Sequence, residues 1–139
     1  MKEKNGNKTI LDGVPASLPS LVKAYRIQDK ARNSGFDWNE RQDVWCKVNE
    51  EMAELKVEIE NMDKDRMEGE FGDLLFSIVN AARLYDINPD NALERTNRKF
   101  IKRFTYLEKE AKGSGRNLKD MTLAEMEEIW QEAKKEDVE

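Results

Sequence analysis

Apolar positions along this chain recur at intervals of three and four residues, the spacing that gives a helix one buried stripe at about 100° per residue. Five stretches carry it. The first opens at Pro19 and runs to about Asn33, where Gly35 supplies a stop. The second, capped by Asp37 or Asn39, continues to about Glu60, with Val44, Val48, Met52, Leu55 and Ile59 in one sector. After the short linker "NMDKDR", a third from about Met67 to Tyr85 presents Phe71, Leu74, Leu75 and Ile78 as its apolar face. Asn88 and Pro89 make a cap and first-turn proline for a fourth, which ends near "KGSG". Thr122 and Glu125 have the spacing of a capping box for a fifth. Methionines 52, 62, 67, 121 and 126 read as core fillers. The pattern predicts an all-α protein, an antiparallel bundle of about five helices, with residues 1–16 a flexible arm and 17–136 one domain.

Composition narrows this further. Hydrophobic residues make up 38% of the 139 and charged residues another 38%, a modest apolar stock that a helical chain extends by sharing its core with a second copy. A homodimer is expected. The single cysteine, Cys46, cannot form an internal disulfide and suits a reducing compartment. With no apolar signal core near the start and no run long enough for a bilayer, the expectation is a cytoplasmic protein with no membrane partner. A net charge of -5 argues against a nucleic acid polymer as partner. No histidine is present, which excludes Ser-His-Asp chemistry and imidazole-held zinc and leaves carboxylates, Lys, Arg and water.

The carboxylates are arranged in pairs. Glu51, Glu54 and Glu58 line the strip beside the apolar sector of the second helix, and Glu70 and Asp73 form an acidic edge on the third. Two helices joined by a short linker pack antiparallel, which brings Glu51 and Glu54 opposite Glu70 and Asp73. Like charges so placed repel unless protons or cations neutralise them, and an all-oxygen set suits Mg²⁺ or Mn²⁺. The plainer alternative is a wet helix face balanced by Lys47, Lys56 and Arg66. Glu58 and Glu60 read as wetted flank. On the fourth helix Lys99 and Arg103 share a face that suits phosphate or merely solvent, and Asn97 points to the Leu93, Phe100, Ile101 and Phe104 side. Phe36, Trp38 and Trp130 can stack on a base or anchor a core.

"EEMAE" at 50–54 followed by "EFGD" at 70–73 resembles the E-E-x-x-E, spacer, E-x-x-D signature of the MazG family of nucleoside triphosphate pyrophosphohydrolases. "LDGVPASLPSL", "KARNSGFDW", "GDLLFSIVNAAR", "ALERTNRKFIKRF" and "MTLAEMEEIWQEAK" resemble, in order, further stretches of its catalytic domain. The resemblance implies a helical, usually dimeric enzyme that uses Mg²⁺, with Mn²⁺ as a substitute, to cleave a nucleoside triphosphate between its α and β phosphates into NMP and pyrophosphate. It implies Glu51, Glu54, Glu70 and Asp73 as metal ligands and Glu50 as an accessory acid. Glu50 and Glu54 are the candidates for general base. For the substrate it implies Asn97, Lys99 and Arg103, with Lys47, Trp130 and Lys134 at further matching positions. Gly69 stands where members often carry a glutamate. Two other readings stay open, a dCTP- or dUTP-selective all-α pyrophosphatase and a non-catalytic dimeric helical interaction module.

Overall fold

A computed structural model describes residues 9–137. Its described residues form five α-helices and short 3-10 turns, with no strand: α1 (Ser20–Asn33), α2 (Val44–Asn61), α3 (Lys64–Leu84), α4 (Pro89–Gly113) and α5 (Leu123–Lys135). The all-α class follows. Part of the expected N-terminal arm, residues 1–8, lies outside the described residues. The rest includes a 3-10 turn, Ile10–Gly13, whose entry is tied by the Thr9 N–H donating to Asp12 at 2.9 Å.

The helix ends obey local chemistry, with some shifts from the sequence pattern. α3 starts three residues earlier than expected because the Asp63 carboxylate accepts the Arg66 N–H at 3.1 Å. Only Met62 and Asp63 are then left to reverse the chain. Met62 takes the left-handed conformation, φ 56°, that closes α2. Pro89 opens α4 as expected, with Asn88 accepting the Asp90 N–H at 2.9 Å. Thr122 and Glu125 complete the reciprocal capping box of α5, at 2.8 and 3.1 Å. Asp37 does not cap α2: a 3-10 turn, Arg41–Asp43, leads into that helix, and Asp37 is used elsewhere.

The chain divides into two compact units, Met1–Asp90 and Asn91–Glu139. In the first, α3 folds back along α2, and α1 packs on α3. Val44, Val48, Leu55, Val79 and Ala81 are buried there. The far end of the hairpin is pinned where Trp45 Nε1 donates to the Tyr85 hydroxyl at 3.1 Å and the Arg41 guanidinium lies 4.8 Å from the Tyr85 ring centre. In the second unit Leu107, Ala111, Met121 and Ile129 form a core, with Tyr106, Leu118, Met126 and Trp130 against it. Met121 and Met126 thus fill a core as expected. Met62, 81% exposed at the α2–α3 link, does not.

The apolar face expected of α3 is a different matter. Phe71, Leu75 and Ile78 are about half exposed, whereas the positions α3 buries are Ser77, Val79, Ala81 and Arg83. The stripe read from the sequence is real, but within the chain α3 buries other positions, toward its C-terminal end. No described helix is long and apolar enough to cross a membrane.

Candidate metal centre

Because only two residues separate α2 from α3, side chains of the two helices meet across the hairpin. Glu51, Glu70 and Asp73 each offer a carboxylate oxygen, and the three oxygens lie within 4.8 Å of one another. Glu51 does more than border the core. It is 5% exposed, and its Oε1 is buried with no hydrogen-bond partner. The other oxygen, Oε2, is 2.8 Å from Lys47 Nζ, one turn earlier on α2, and the same ammonium reaches Glu50 at 3.4 Å. The hydrogen bond to Glu51 raises the Lys47 pKa, with the charges of Glu51 and Glu50 adding to it against the opposing effect of desolvation.

Glu70 is half buried, with its own Oε1 lacking a partner. Desolvation pushes its pKa up, and the charges of Glu54, Asp73, Glu51 and Glu58 push it further in the same direction. Glu54 is solvent-facing and outside the closest trio, though its charge is felt at Glu70. Glu58, expected to be wetted, is instead half buried with an unpartnered Oε1, because it lies one turn beyond Glu54 on the side that faces α3. A buried carboxylate oxygen without a donor is costly, of order 1–3 kcal/mol or more for a charged group. Two such residues, Glu51 and Glu70, belong to the converging trio, which is therefore a place where positive charge is stabilised. Hard oxygen donors suit a divalent cation such as Mg²⁺ or Mn²⁺, so the residues fit that group.

Further along α3, Arg83 is 6% exposed and fully engaged. Its guanidinium donates to Asp37 Oδ1 at 2.7 Å and to Asn80 Oδ1 at 2.7 and 3.1 Å. Burial would raise the Asp37 pKa, but the hydrogen bonds from Arg83 and the Trp38 N–H, with the charges of Arg83 and Arg32, outweigh it and hold the carboxyl below its usual value. This pair ties the loop after Gly35 to α3. Sequence reasoning missed Arg83 and Gln28. The available signal was a long polar side chain on an apolar stripe: Gln28 is in register with Leu21, Ala24, Tyr25 and Ala31.

The remaining predicted residues belong to the second unit. Arg103 is paired with Asp137, its Nε donating at 2.6 Å. Trp130 sits against Phe100 with ring centres 5.2 Å apart. Asn97 is exposed and makes a 3.5 Å contact with Glu94, and the apolar residues flanking it are exposed too. Lys99 is half buried and Lys134 exposed.

Residues 41–107 match the MazG nucleotide pyrophosphohydrolase domain, a span that takes in every clustered acid. The chain is 41% identical over 117 residues to the nucleoside triphosphate pyrophosphohydrolase/pyrophosphatase MazG of Thermotoga maritima, covering 84% of this chain and 45% of that one. It is 36% identical over 139 residues to the nucleoside triphosphate pyrophosphohydrolase of Escherichia coli K12 (99% and 53%), and 47% identical over 134 residues to the uncharacterized protein YabN of Bacillus subtilis (95% and 27%). The chain carries a MazG-family domain over residues 41–107. It spans about half the length of the two pyrophosphohydrolases it matches.

Proposed function

We propose that the chain is a Mg²⁺-dependent nucleoside triphosphate pyrophosphohydrolase that cleaves between the α and β phosphates, releasing NMP and pyrophosphate. The observation that carries the reading is the convergence of Glu51, Glu70 and Asp73 within 4.8 Å, with the Glu51 Oε1 buried and unpartnered. Its relatives in Thermotoga maritima and Escherichia coli bear the name nucleoside triphosphate pyrophosphohydrolase, which supports the reading.

Glu51, Glu70 and Asp73 would hold the cation, with Glu54 as the fourth carboxylate. A bound divalent ion supplies charge neutralisation on the phosphate oxygens and lowers the pKa of a coordinated water. Lys47 fixes one Glu51 oxygen, the other is left without a protein donor, and the ammonium offsets part of the local negative field. Glu50 and Glu54 are the solvent-facing carboxylates available to take a proton from the attacking water. Lys99, Arg103 and Lys134 contribute cationic groups for phosphate oxygens, Arg103 by exchanging Asp137 for one of them. Asn97 and Trp130 complete the substrate set. The half-exposed apolar positions of α3 suit a second copy of the chain, so the working form is a homodimer.

Incubating the protein with a panel of nucleoside triphosphates and Mg²⁺, then separating products by anion exchange, tests the reading. NMP with pyrophosphate is the expected outcome, and NDP with orthophosphate refutes the assigned bond. Glu51→Gln is expected to lower turnover by at least about a hundredfold, the scale of losing one electrostatic contact to the transition state.

A further inference from the structure

A cavity of about 780 Å³ lies wholly within the first unit, bounded by α1, the loop after Gly35 and α3. Its wall includes Glu51 and Asp73 of the carboxylate cluster together with Gln28, Phe36, Trp38 and Phe76. Its volume falls in the range of small-ligand sites, roughly 300–1,000 Å³.

Most polar groups on its wall are already spent within the protein. Asp37 and Asn80 are held by Arg83, and the Ser77 hydroxyl donates to the Leu74 carbonyl at 2.7 Å. Apart from the acids of the metal cluster, Gln28 is the exception. It is 6% exposed, and its Nε2 donates to the Phe76 carbonyl at 3.0 Å, which fixes the amide's orientation because the reversed amide would set two oxygens together. The opposite atom, Oε1, is buried and has no partner. An orphaned buried acceptor costs about 1–3 kcal/mol, recovered when a ligand N–H reaches it. Phe36, 81% exposed, and Trp38 stand at the rim, carried by the loop that the Arg83–Asp37 pair anchors. A buried ion pair is weak as a source of stability, but it does fix geometry. Flat aromatic faces with one buried acceptor are complementary to a planar heterocycle bearing N–H donors.

We propose that this cavity receives the nucleobase of the substrate, with Gln28 Oε1 accepting an N–H from the base edge and Trp38 and Phe36 stacking on its face. The inference rests on the pyrophosphohydrolase reading and adds a specificity element to it. Gln28 ranks bases by whether they present a donor at that depth, and the rim aromatics hold any planar base.

The test measures affinity rather than turnover. Calorimetry with the four α,β-methylene nucleoside triphosphates and with inorganic tripolyphosphate, each with Mn²⁺, is run on the full chain and on Gln28→Met and Trp38→Ala. Each variant is expected to weaken the tightest nucleotide about tenfold and to compress the spread among bases, while tripolyphosphate and Mn²⁺ affinities stay within twofold. Thermal melts verify folding. If Gln28→Met does not fold, Trp38→Ala at the exposed rim decides by the same criterion. Wild-type spread among the bases in the folded variants overturns the proposal, and so does an equal loss for tripolyphosphate. Failure of the wild type to release pyrophosphate from any nucleotide contradicts the function instead, independently of these affinities.

Discussion

Glu70 carries the conflict between folding and site chemistry in its clearest form. Its carboxyl pKa is raised by desolvation first and then by four neighbouring carboxylates, so the folded chain holds that proton more tightly than the unfolded one. Ionising Glu70 therefore opposes folding. The penalty is absent below the ordinary glutamate pKa and complete once the pH has risen through the raised value. In chelator, Glu70→Gln should melt above wild type at neutral pH, with the gap closing as the pH falls through that window. Mn²⁺ should raise the wild-type midpoint more than that of the variant. Asp37 has the opposite sign. Its lowered pKa means that the ionised form supports the fold above the usual carboxylate range, and this support is lost as the pH falls through the depressed value. Asp37→Asn leaves the Arg83 guanidinium buried with reduced compensation, and should cost about 3 kcal/mol in urea unfolding at pH 7. An unchanged midpoint would show that Asn80 alone suffices for Arg83.

The hairpin of α2 and α3 depends on a reversal of two residues, and the reversal carries strain. Met62 has a left-handed backbone that costs a residue with a β-carbon roughly 1–2 kcal/mol, and its side chain is exposed. Met62→Gly should stabilise the chain by about 1 kcal/mol in chemical denaturation without altering Mn²⁺ affinity. A loss of stability would mean that the Met62 side chain has packing of its own. Helix positions were largely legible in the sequence, because capping residues such as Thr122 and Pro89 act locally. The start of α3 was less so, since "NMDKDR" offers more than one acidic cap and the apolar pattern does not say which is used. The convergence of Glu51 with Glu70 and Asp73 was legible from helical register plus a short link. The burial of Glu58 and the Gln28–Phe76 and Asp37–Arg83 contacts were not. The latter two join residues 48 and 46 positions apart, beyond any local pattern.

Across the chain, the mismatch between the apolar stripe of α3 and what α3 buries points outward. Leu75 is 58% exposed, with Phe71 and Ile78 on the same face. Burying a side chain of this size contributes roughly 1.5–3 kcal/mol, which is available when a second copy covers the face. Sedimentation equilibrium should give a dimer, and Leu75→Glu should raise its dissociation constant by about thirtyfold or more. A wild-type chain that sediments as a monomer at micromolar concentration would contradict the dimer.

The functional account depends on carboxylates that the fold has drawn together to bind a divalent cation. An electron paramagnetic resonance titration with Mn²⁺, comparing wild type with Glu51→Gln at matched helicity, addresses this most directly. Saturable binding in the wild type, weakened at least tenfold by the substitution, is the predicted result. Equal Mn²⁺ affinity in the two proteins, or no saturable binding in either, would contradict it.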